Sequence, residues 1–495
     1  MGKPPVSQPP ETSLDPDDWE QFRAFAHTAL DDAIDFVKNV RERPVWQPVP
    51  ERVRQELRQP LPVEGQGLES TYGDFQNWIL PYPAGNIHPR FFGWVNGTGT
   101  PSGIVADLLA SAMNSNCGGR DHGALYVECC VIDWCKQMFG YPETASGILV
   151  SGTSMATLVA LTAARNGSQD YEVRREGLHP PKPLAAYASS EAHESLAKAL
   201  DILGMGTDAL RKVPVNAAFE MDLDALRRMI REDRSAGRQP FCIVGSAGTV
   251  NTGSIDDLAG LAAISQEEKI WFHVDGAFGA LCVLNPELRP LLAGIEQADS
   301  IAFDFHKWMY VQYDAGCVLV KSAELHQQAF SMRPPYLLGA ERGLAGGSPW
   351  FCEFGPELSR AFRALKIWFA IKEHGTARLG QMIKQNCEQA RYLADRVKAE
   401  PDLELLTEPR LNIVCFRYTG DAGATIDLMD LDQLNIDIVA DLQETGIAAP
   451  STTRVDGKLA IRAAITNHRS RREDFDLLIE AVLAAGARRT GGGKA

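Results

Sequence analysis

From about Gly147 onward the sequence alternates short apolar runs with stretches of helical periodicity, and this alternation constrains the fold more than any other feature. Short apolar runs between turn signals are typical of buried strands. The predicted strands are Gly147–Val150, Pro183–Tyr187, Phe241–Val244, Ile270–Val274, Ser300–Phe303 and Gly316–Val320. Buried strands separated by helices predict an α/β fold with a mainly parallel central sheet and helices on both faces.

The segments on either side of this core have patterns of their own. Near the start, Asp15-Pro16 is typical of an N-cap followed by proline at the first helical position, and an amphipathic helix is predicted to follow. The Gly/Pro-rich stretch at about 328–353 is too long for an ordinary connection and predicts a mobile lid. A long amphipathic helix is predicted from about Glu357 to Val397. The tail predicts a smaller C-terminal α/β domain with strands Leu411–Phe416 and Leu459–Ile465 and helices near Ile436–Glu444 and Asp474–Leu483.

Length and charge exclude several classes of protein. The 495 residues exceed the roughly 250–300 at which a single core stops growing, so at least two domains are expected. The net charge of −15 opposes binding to nucleic acid or to an anionic membrane surface. No apolar run approaches the roughly 18 residues that a membrane span needs. The ten cysteines form no CxxC pair, which indicates reduced thiols in the cytoplasm and no metal site.

One predicted strand ends beside a group of small hydroxyl residues, and ligands of open α/β sheets bind at such ends. After Val150 come Ser151-Gly152-Thr153-Ser154 and a helix predicted from Met155 to Arg165. Free backbone N–H groups, hydroxyls and the positive end of a helix suit a phosphate. Taken alone, however, serine and threonine before a helix are more often plain N-caps.

Two other strand ends carry an acid and an amine. Asp275 comes directly after a predicted strand, so its carboxylate either faces a ligand or caps the next turn. Lys307 lies just beyond another strand, between aromatic residues, and is either an imine-forming amine or a solvated surface lysine. His193 follows the strand that ends at Tyr187 and, taken singly, is more often a structural histidine than a catalytic one.

Together, a phosphate cradle, an imine-forming lysine and a carboxylate for a pyridinium nitrogen are what pyridoxal phosphate requires. The segments that carry these groups resemble the group II pyridoxal-phosphate-dependent amino-acid decarboxylases, and most of all their aromatic-L-amino-acid decarboxylase branch. These segments are Ser151–Arg165, Tyr187–Ala199, His273–Ala280 and Asp304–Gly316. The resemblance runs from His88–Trp94 through Leu358–Phe369, and its most specific motif is the His-Lys-Trp run at 306–308.

This resemblance implies a fold and an assembly. The family has the fold-type I fold of pyridoxal-phosphate-dependent transferases and forms homodimers whose active sites lie at the subunit interface. Residues 1–100 are therefore predicted to form an N-terminal helical arm and dimerisation segment, 101–375 the large cofactor-binding domain, and 376–495 the small C-terminal domain. A dimer would also bury the apolar face of the N-terminal helix.

The same resemblance implies the roles of individual residues. Lys307 would form the Schiff base with the cofactor, Asp275 would pair with the pyridinium nitrogen, and His193 would stack on the ring. Tyr336, in the lid, would return a proton to the α-carbon after carbon dioxide has left. The other cofactor positions are Ala277 on the second ring face, Thr153, Ser154 and His306 at the phosphate, and Thr249.

Substrate contacts are implied at Trp94, Asn96 and Ser359. In relatives of this branch, glycine at the position of Ser359 goes with indole substrates and serine with phenolic ones. The substrate is therefore expected to be an amino acid, and a phenolic one is favoured.

Three departures from the aromatic branch lie near this pocket. Val95-Asn96-Gly97 stand where that branch has Phe-Pro-Thr, which makes the pocket wall less apolar. Val250 stands where a threonine is usual, so a hydroxyl near the cofactor is lost. Asp304 replaces an asparagine, and its carboxylate would repel a phosphate unless it points away.

The predicted reaction is the decarboxylation of an L-amino acid to its amine and carbon dioxide. Two alternatives keep the fold: oxidative conversion to an aldehyde, which the lid tyrosine Tyr336 disfavours, and decarboxylation of a polar or acidic amino acid. Gly204-Met205-Gly206 loosely imitates a dinucleotide fingerprint, but a nicotinamide enzyme needs a strand where Glu194–Leu203 has helical periodicity. A non-catalytic dimeric interaction protein would have no need for Lys307, Asp275 and His193 together.

Overall fold

The computed structural model describes residues 12–332, 340, 342–420 and 428–491. Contacts divide the chain into two compact units. One consists of Met1–Arg43 and Val49–Pro83, and the other of Pro44–Pro48 and Ala84–Ala495. The described α-helices of the first unit are α1 (Trp19–Lys38), α2 (Glu51–Glu56) and α3 (Leu68–Asp74).

Helix α1 begins later than the sequence predicted. The Asp18 carboxylate accepts hydrogen bonds from the backbone N–H groups of Glu20 and Gln21, so Asp18 is the N-cap and the expected cap at Asp15-Pro16 is wrong. None of the residues of α1 is buried. Its aromatic residues Trp19 and Phe22 are exposed, so this unit covers the apolar face of its own helix only in part.

A seven-stranded sheet forms the centre of the second unit, in the order β1-β7-β6-β5-β4-β2-β3. Only β7 runs antiparallel to its neighbours, β1 and β6, and the other pairs are parallel. The predicted mainly parallel sheet is therefore confirmed. The strands are β1 (Ser146–Val150), β2 (Leu184–Ser189), β3 (Leu210–Val213), β4 (Gln239–Ser246), β5 (Trp271–Asp275), β6 (Ser300–Asp304) and β7 (Gly316–Val320).

Helices cover this sheet. Strands β1, β2, β6 and β7 are buried at every residue, which requires packing on both faces. The described helices of this region are α4 (Pro101–Met113), α5 (Gly123–Phe139), α6 (Thr153–Gly167), α7 (Val173–Glu176), α8 (Ser195–Ile202), α9 (Leu223–Ser235), α10 (Leu258–Glu268), α11 (Phe305–Trp308) and α12 (Ala323–Phe330). Because α8 occupies most of Glu194–Leu203, the helical periodicity that argued against a nicotinamide fingerprint is confirmed.

A second, antiparallel sheet lies near the C-terminus, with the strand order β10-β11-β9-β8 and a hydrophobic core of its own. Its two central strands were predicted, whereas the edge strands were not, because their residues are only partly buried. The elements are β8 (Leu403–Thr407), β9 (Ile413–Tyr418), β10 (Ser451–Val455), β11 (Lys458–Ala464), α14 (Leu428–Glu444) and α15 (Arg472–Arg489).

The long helix predicted from Glu357 is α13 (Ala364–Ala399), which starts seven residues later and is interrupted at Gly375 (φ 68°, ψ 155°). A tertiary contact explains the late start. The Arg360 side chain, fully buried, forms a bidentate ion pair with Glu128 of α5, which holds 357–363 out of the helix. Contacts to a distant element therefore override the local periodicity.

Two further findings concern the chain as a whole. None of its ten cysteines forms a disulfide bond. Among the described residues, no helix is long and apolar enough to cross a membrane.

Candidate active site

Three strand ends meet at one edge of the central sheet. Val150 of β1 and Asp304 of β6 both pair with Gly316 of β7, and Asp275 of β5 pairs with Ala302 of β6. A cavity of about 460 Å³ opens at this edge. It is lined by most of the predicted site residues: Trp94, Asn96, Thr153, Ser154, His193, Thr249, Asp275, Ala277, His306 and Lys307.

The N-terminus of α6 supplies an anion site to this cavity. Gly152 is the N-cap and has no side chain to satisfy the free N–H groups of the first turn. The Oγ1 atom of Thr153 is buried and has no hydrogen-bond partner within the described chain, and Ser154 beside it is exposed to the cavity. Free donors and unpaired hydroxyls at a helix N-terminus fit the phosphate of pyridoxal phosphate.

Lys307 lies on the short helix α11, directly after β6. Its Nζ atom is 3.2 Å from Oδ2 of Asp304. His306 accepts a hydrogen bond at Nδ1 from the backbone N–H of Ala315 (3.1 Å), and its Nε2 is 3.6 Å from the same Asp304 oxygen. Burial lowers the pKa of His306, which leaves the ring neutral at pH 7 with its proton on Nε2.

Asp304 does not turn away from the anion site. Its side chain is buried, and Oδ1 has no hydrogen-bond partner in the described part of the chain. A Cβ atom placed on Gly316 would lie 2.8 Å from Oδ1 and 2.5 Å from the Cα of Gly152, so all three residues meet at the start of α6. The buried Asp304 carboxylate therefore faces Lys307 with Oδ2 and the N-terminus of α6 with Oδ1.

Asp275 ends β5 and lies on the floor of the cavity. Its Oδ1 accepts a hydrogen bond from the backbone N–H of Ala277 (3.2 Å). Burial raises the pKa of the Asp275 carboxyl, and the positive charge of Lys307 opposes this rise. A carboxylate with one fixed partner and one free oxygen fits a protonated ring nitrogen.

His193 and Thr249 line the same cavity, and each has one side-chain atom held by a residue close by in the chain. Nδ1 of His193 accepts the backbone N–H of Ser195 (3.1 Å) and is 2.8 Å from its hydroxyl, which fixes the plane of the imidazole. Oγ1 of Thr249 accepts the backbone N–H of Ser254 and lies 3.1 Å from the Thr252 hydroxyl. Thr249 therefore shapes its own loop, between β4 and α10.

One wall of the cavity is formed by Trp94, Asn96 and Tyr313. Tyr313 was not singled out from the sequence, although it lies within the motif Asp304–Gly316. Its ring packs on the His306 imidazole, with centroids 4.4 Å apart. Its hydroxyl donates to Oδ1 of Asn96 (3.0 Å).

Arg462, on β11 of the C-terminal sheet, was also missed. Burial lowers the pKa of its guanidinium to about 10. Its hydrogen-bond partners are neutral: the carbonyl oxygens of Trp94, Val250 and Asn251 and the hydroxyl of Ser451. Since Trp94 and Val250 line the cavity, the Arg462 side chain connects the cavity wall to the C-terminal sheet.

One predicted position, Ser359, is not brought to this cavity, and another lies beyond the part of the chain that the structure describes. Ser359 is exposed and does not line the cavity. Tyr336 lies outside the described residues. Among the described residues, no cluster of three or more His, Cys, Asp or Glu side chains is suited to a metal ion.

Comparisons with known proteins agree with this geometry. The profile of a family described as "Pyridoxal-dependent decarboxylase conserved domain" matches residues 50–419. An aromatic-L-amino-acid decarboxylase of Bacillus atrophaeus is 32% identical over 459 residues, covering 92% of this chain and 93% of the relative. A phenylacetaldehyde synthase of Petunia hybrida is 28% identical over 470 residues, with 91% of each chain covered.

A solved structure is similar throughout. The crystal structure of Oryza sativa TDC with PLP and tryptamine superposes with a TM-score of 0.88 at 26% identity, covering 96% of this chain and 100% of that one. The fold expected from the sequence is therefore confirmed.

Proposed function

The chain belongs to the pyridoxal-dependent decarboxylase family, and from this membership we propose that it converts an L-amino acid, with a phenolic side chain preferred, into the amine and carbon dioxide. It is a carboxy-lyase whose cofactor is pyridoxal phosphate. The observation that best supports the assignment of the site is the convergence of Lys307, Asp275 and the free N-terminus of α6 on one cavity.

The cofactor, when bound, supplies an electron sink for the negative charge left at the α-carbon as carbon dioxide departs. In this proposal the Lys307 amine holds the cofactor covalently, and Thr153 and Ser154 bind its phosphate. Asp275 keeps a proton on the ring nitrogen, which its buried carboxylate can stabilise by charge and hydrogen bonding. His193, with its plane fixed by Ser195, covers one face of the ring.

The proton that completes the amine comes from Tyr336 in this proposal. A phenol poised at the α-carbon delivers a proton faster than molecular oxygen can oxidise that carbon. The product is then the amine.

We extend the proposal to a homodimer in the cytoplasm. Helix α4 leaves Val105, Leu108 and Met113 exposed, and α1 leaves Trp19 exposed, which are apolar surfaces that a second copy would cover. In such a dimer, the exposed Ser359 would line the cavity of the second copy. Ten cysteines without a disulfide bond are typical of a reducing compartment. Sedimentation equilibrium should give twice the mass of the chain.

Borohydride reduction of the holoenzyme, followed by peptide mass spectrometry, tests the central assignment. The pyridoxyl label should be found on Lys307, because reduction fixes the imine as a secondary amine. Lys307→Ala should bind the cofactor weakly and lose turnover. Lys321→Ala changes a lysine outside the cavity and should keep the cofactor affinity and turnover of the wild type. A label on another lysine would show that the site is misassigned.

One alternative has a specific observation in its favour, because a relative is a phenylacetaldehyde synthase. An aldehyde-forming enzyme would consume oxygen and release ammonia and hydrogen peroxide together with carbon dioxide. Measuring amine, ammonia and peroxide from the same reaction separates the two. Stoichiometric ammonia and peroxide from the wild-type enzyme would replace decarboxylation to the amine by the oxidative reaction.

A further inference from the structure

A hydrogen-bonded chain connects three groups on the wall of the cavity. The backbone N–H of Gly97 donates to the hydroxyl oxygen of Tyr313 (3.3 Å), and that hydroxyl donates to Oδ1 of Asn96 (3.0 Å). Removal from water raises the pKa of the Tyr313 phenol, so it keeps its proton at neutral pH. The direction of the chain, from Gly97 to Tyr313 to Asn96, is therefore fixed.

This direction also fixes the Asn96 amide. Tyr313 has one proton to give, and Asn96 is the acceptor for it among the described residues. If the amide were turned over, its nitrogen would face the phenol and the phenolic proton would lose this acceptor. Nδ2 of Asn96 makes no hydrogen bond within the described chain, and Asn96 lines the cavity. Its two N–H donors are therefore available to a ligand there.

The backbone around Asn96 is held on both sides. Its carbonyl accepts the hydroxyl of Thr466 (2.7 Å), and the carbonyl of Gly97 accepts Nδ2 of Asn86 (2.7 Å). Gly97 lies directly against the residue before Lys307, because a Cβ atom there would overlap the carbonyl oxygen of His306 at 1.4 Å. The amide is thus a rigid donor on the wall of the cavity, which favours selective recognition.

We propose that Tyr313 is a positioning residue that holds the Asn96 amide with its donors free, and that Asn96 thereby selects amino acids with an oxygen acceptor at the far end of the side chain. This inference rests on the proposed function, since it assigns a substrate class to that same cavity. A side chain without an acceptor leaves the amide desolvated and unpaired when it binds, so it binds less well.

L-Tyrosine and L-phenylalanine form the sharpest pair of substrates, because they differ only in the phenolic oxygen. The wild-type holoenzyme should prefer tyrosine in kcat/KM by roughly three- to tenfold, the effect of one hydrogen bond. Asn96→Leu keeps the size of the side chain but removes the donors, so the ratio should fall to about one. The loss should lie in KM rather than kcat, because the contact is far from the reacting carbon.

Tyr313→Phe tests the positioning role separately. It keeps the ring against His306 but removes the hydroxyl, so the amide is free to turn and the tyrosine preference should fall toward one. Tyr392→Phe is the matched control, because it removes a phenolic hydroxyl that donates to Asp476 and lies outside the cavity. Its tyrosine-to-phenylalanine ratio should equal that of the wild type.

Cofactor binding gives a readout that does not depend on turnover. Asn96→Leu should retain the absorbance spectrum and the cofactor dissociation constant of the wild type. The inference is overturned if this variant keeps the tyrosine preference, if it instead weakens cofactor binding, or if the active wild type does not prefer tyrosine. Absence of carbon dioxide from every amino acid tried would overturn the proposed function and this inference with it.

Discussion

Oδ2 of Asp304 lies 3.2 Å from Nζ of Lys307, and Oδ1 of the same carboxylate reaches the start of α6, where the phosphate is proposed to bind. A negative charge with almost no exposure to water is weakly screened, so it both attracts the lysine and repels a phosphate. Without the cofactor, the Asp304 carboxylate therefore places a negative charge beside the proposed phosphate site.

Asp304→Asn should therefore bind pyridoxal phosphate more tightly, by about tenfold, because the repelling charge is lost and the shape is kept. Absorbance titration of the cofactor-free protein measures this. Asp314→Asn is a matched control, since Asp314 pairs with Arg363 and does not line the cavity. Weaker binding by Asp304→Asn would mean that the carboxylate assists the phosphate instead.

Asp275→Ala should lower kcat by about 10²-fold or more, the effect of removing one preorganised electrostatic partner. Asp299→Asn provides the comparison, because Asp299 lies at the opposite end of β6 and binds the backbone N–H of Phe272. Its kcat should be close to that of the wild type. Equal activity in both variants would make Asp275 a structural cap.

Tyr336→Phe should divert the reaction from the amine to the aldehyde, because the carbon that loses carbon dioxide then waits longer for a proton and is exposed to oxygen. Ammonia and hydrogen peroxide should appear in proportion to carbon dioxide. The wild-type enzyme and Tyr171→Phe, which removes a hydroxyl bonded to the backbone of His179, should form the amine. Amine as the sole product of Tyr336→Phe would place the proton donor elsewhere.

In the proposed homodimer Ser359 would line the cavity of the second copy. Ser359→Gly should therefore shift kcat/KM from tyrosine toward tryptophan by a few-fold to about tenfold, because one hydroxyl contact is removed and that cavity widens. Competition between the two amino acids in one reaction gives the ratio directly. A wild type that prefers tryptophan, or a ratio that Ser359→Gly leaves unchanged, would show that this serine does not set specificity.

Stability should fall on acidification because of three buried histidines. Burial lowers the pKa of His273, His326 and His468 to about 4, from an ordinary 6.5. Between these values the unfolded chain binds protons that the folded chain does not, so their stabilising effect is complete above pH 6.5 and is lost as the pH falls toward 4. Urea unfolding at pH 7 and pH 5 should show the loss. Between pH 4 and 6.5, His326→Gln should reduce the slope of the unfolding free energy against pH by the equivalent of about one proton. An unchanged slope would contradict this assignment.

The sequence predicted those elements whose residues are apolar in succession. Strands such as β1 and β6 are buried at every position, so composition alone reveals them. Strands β3, β8 and β10 lie at sheet edges with partly exposed residues, and no apolar run marks them. The start of α13 was misplaced because the ion pair of Arg360 with Glu128 depends on a contact between distant segments.

The same distinction applies to the candidate site. Asp275 and Lys307 could be found because each follows a strand directly, and parallel topology brings such ends together. The contact between Tyr313 and Asn96 joins residues 217 positions apart, and no local pattern encodes it. Three of the four neutral acceptors of Arg462 also come from distant segments, so they could not be predicted from the sequence around Arg462.

Arg462 connects the C-terminal sheet to the wall of the cavity in which the substrate is proposed to bind. The buried guanidinium of Arg462 needs the carbonyl acceptors of both Trp94 and Val250. If either loop moved alone, the buried cation would lose a hydrogen-bond acceptor, so the two loops are expected to move together. Substitutions on β11 and its neighbours, none of which touches the proposed cofactor site, would therefore reshape the pocket wall. If the cavity binds the substrate as proposed, new substrate preferences could evolve through the C-terminal sheet while Lys307 and its neighbours stay unchanged.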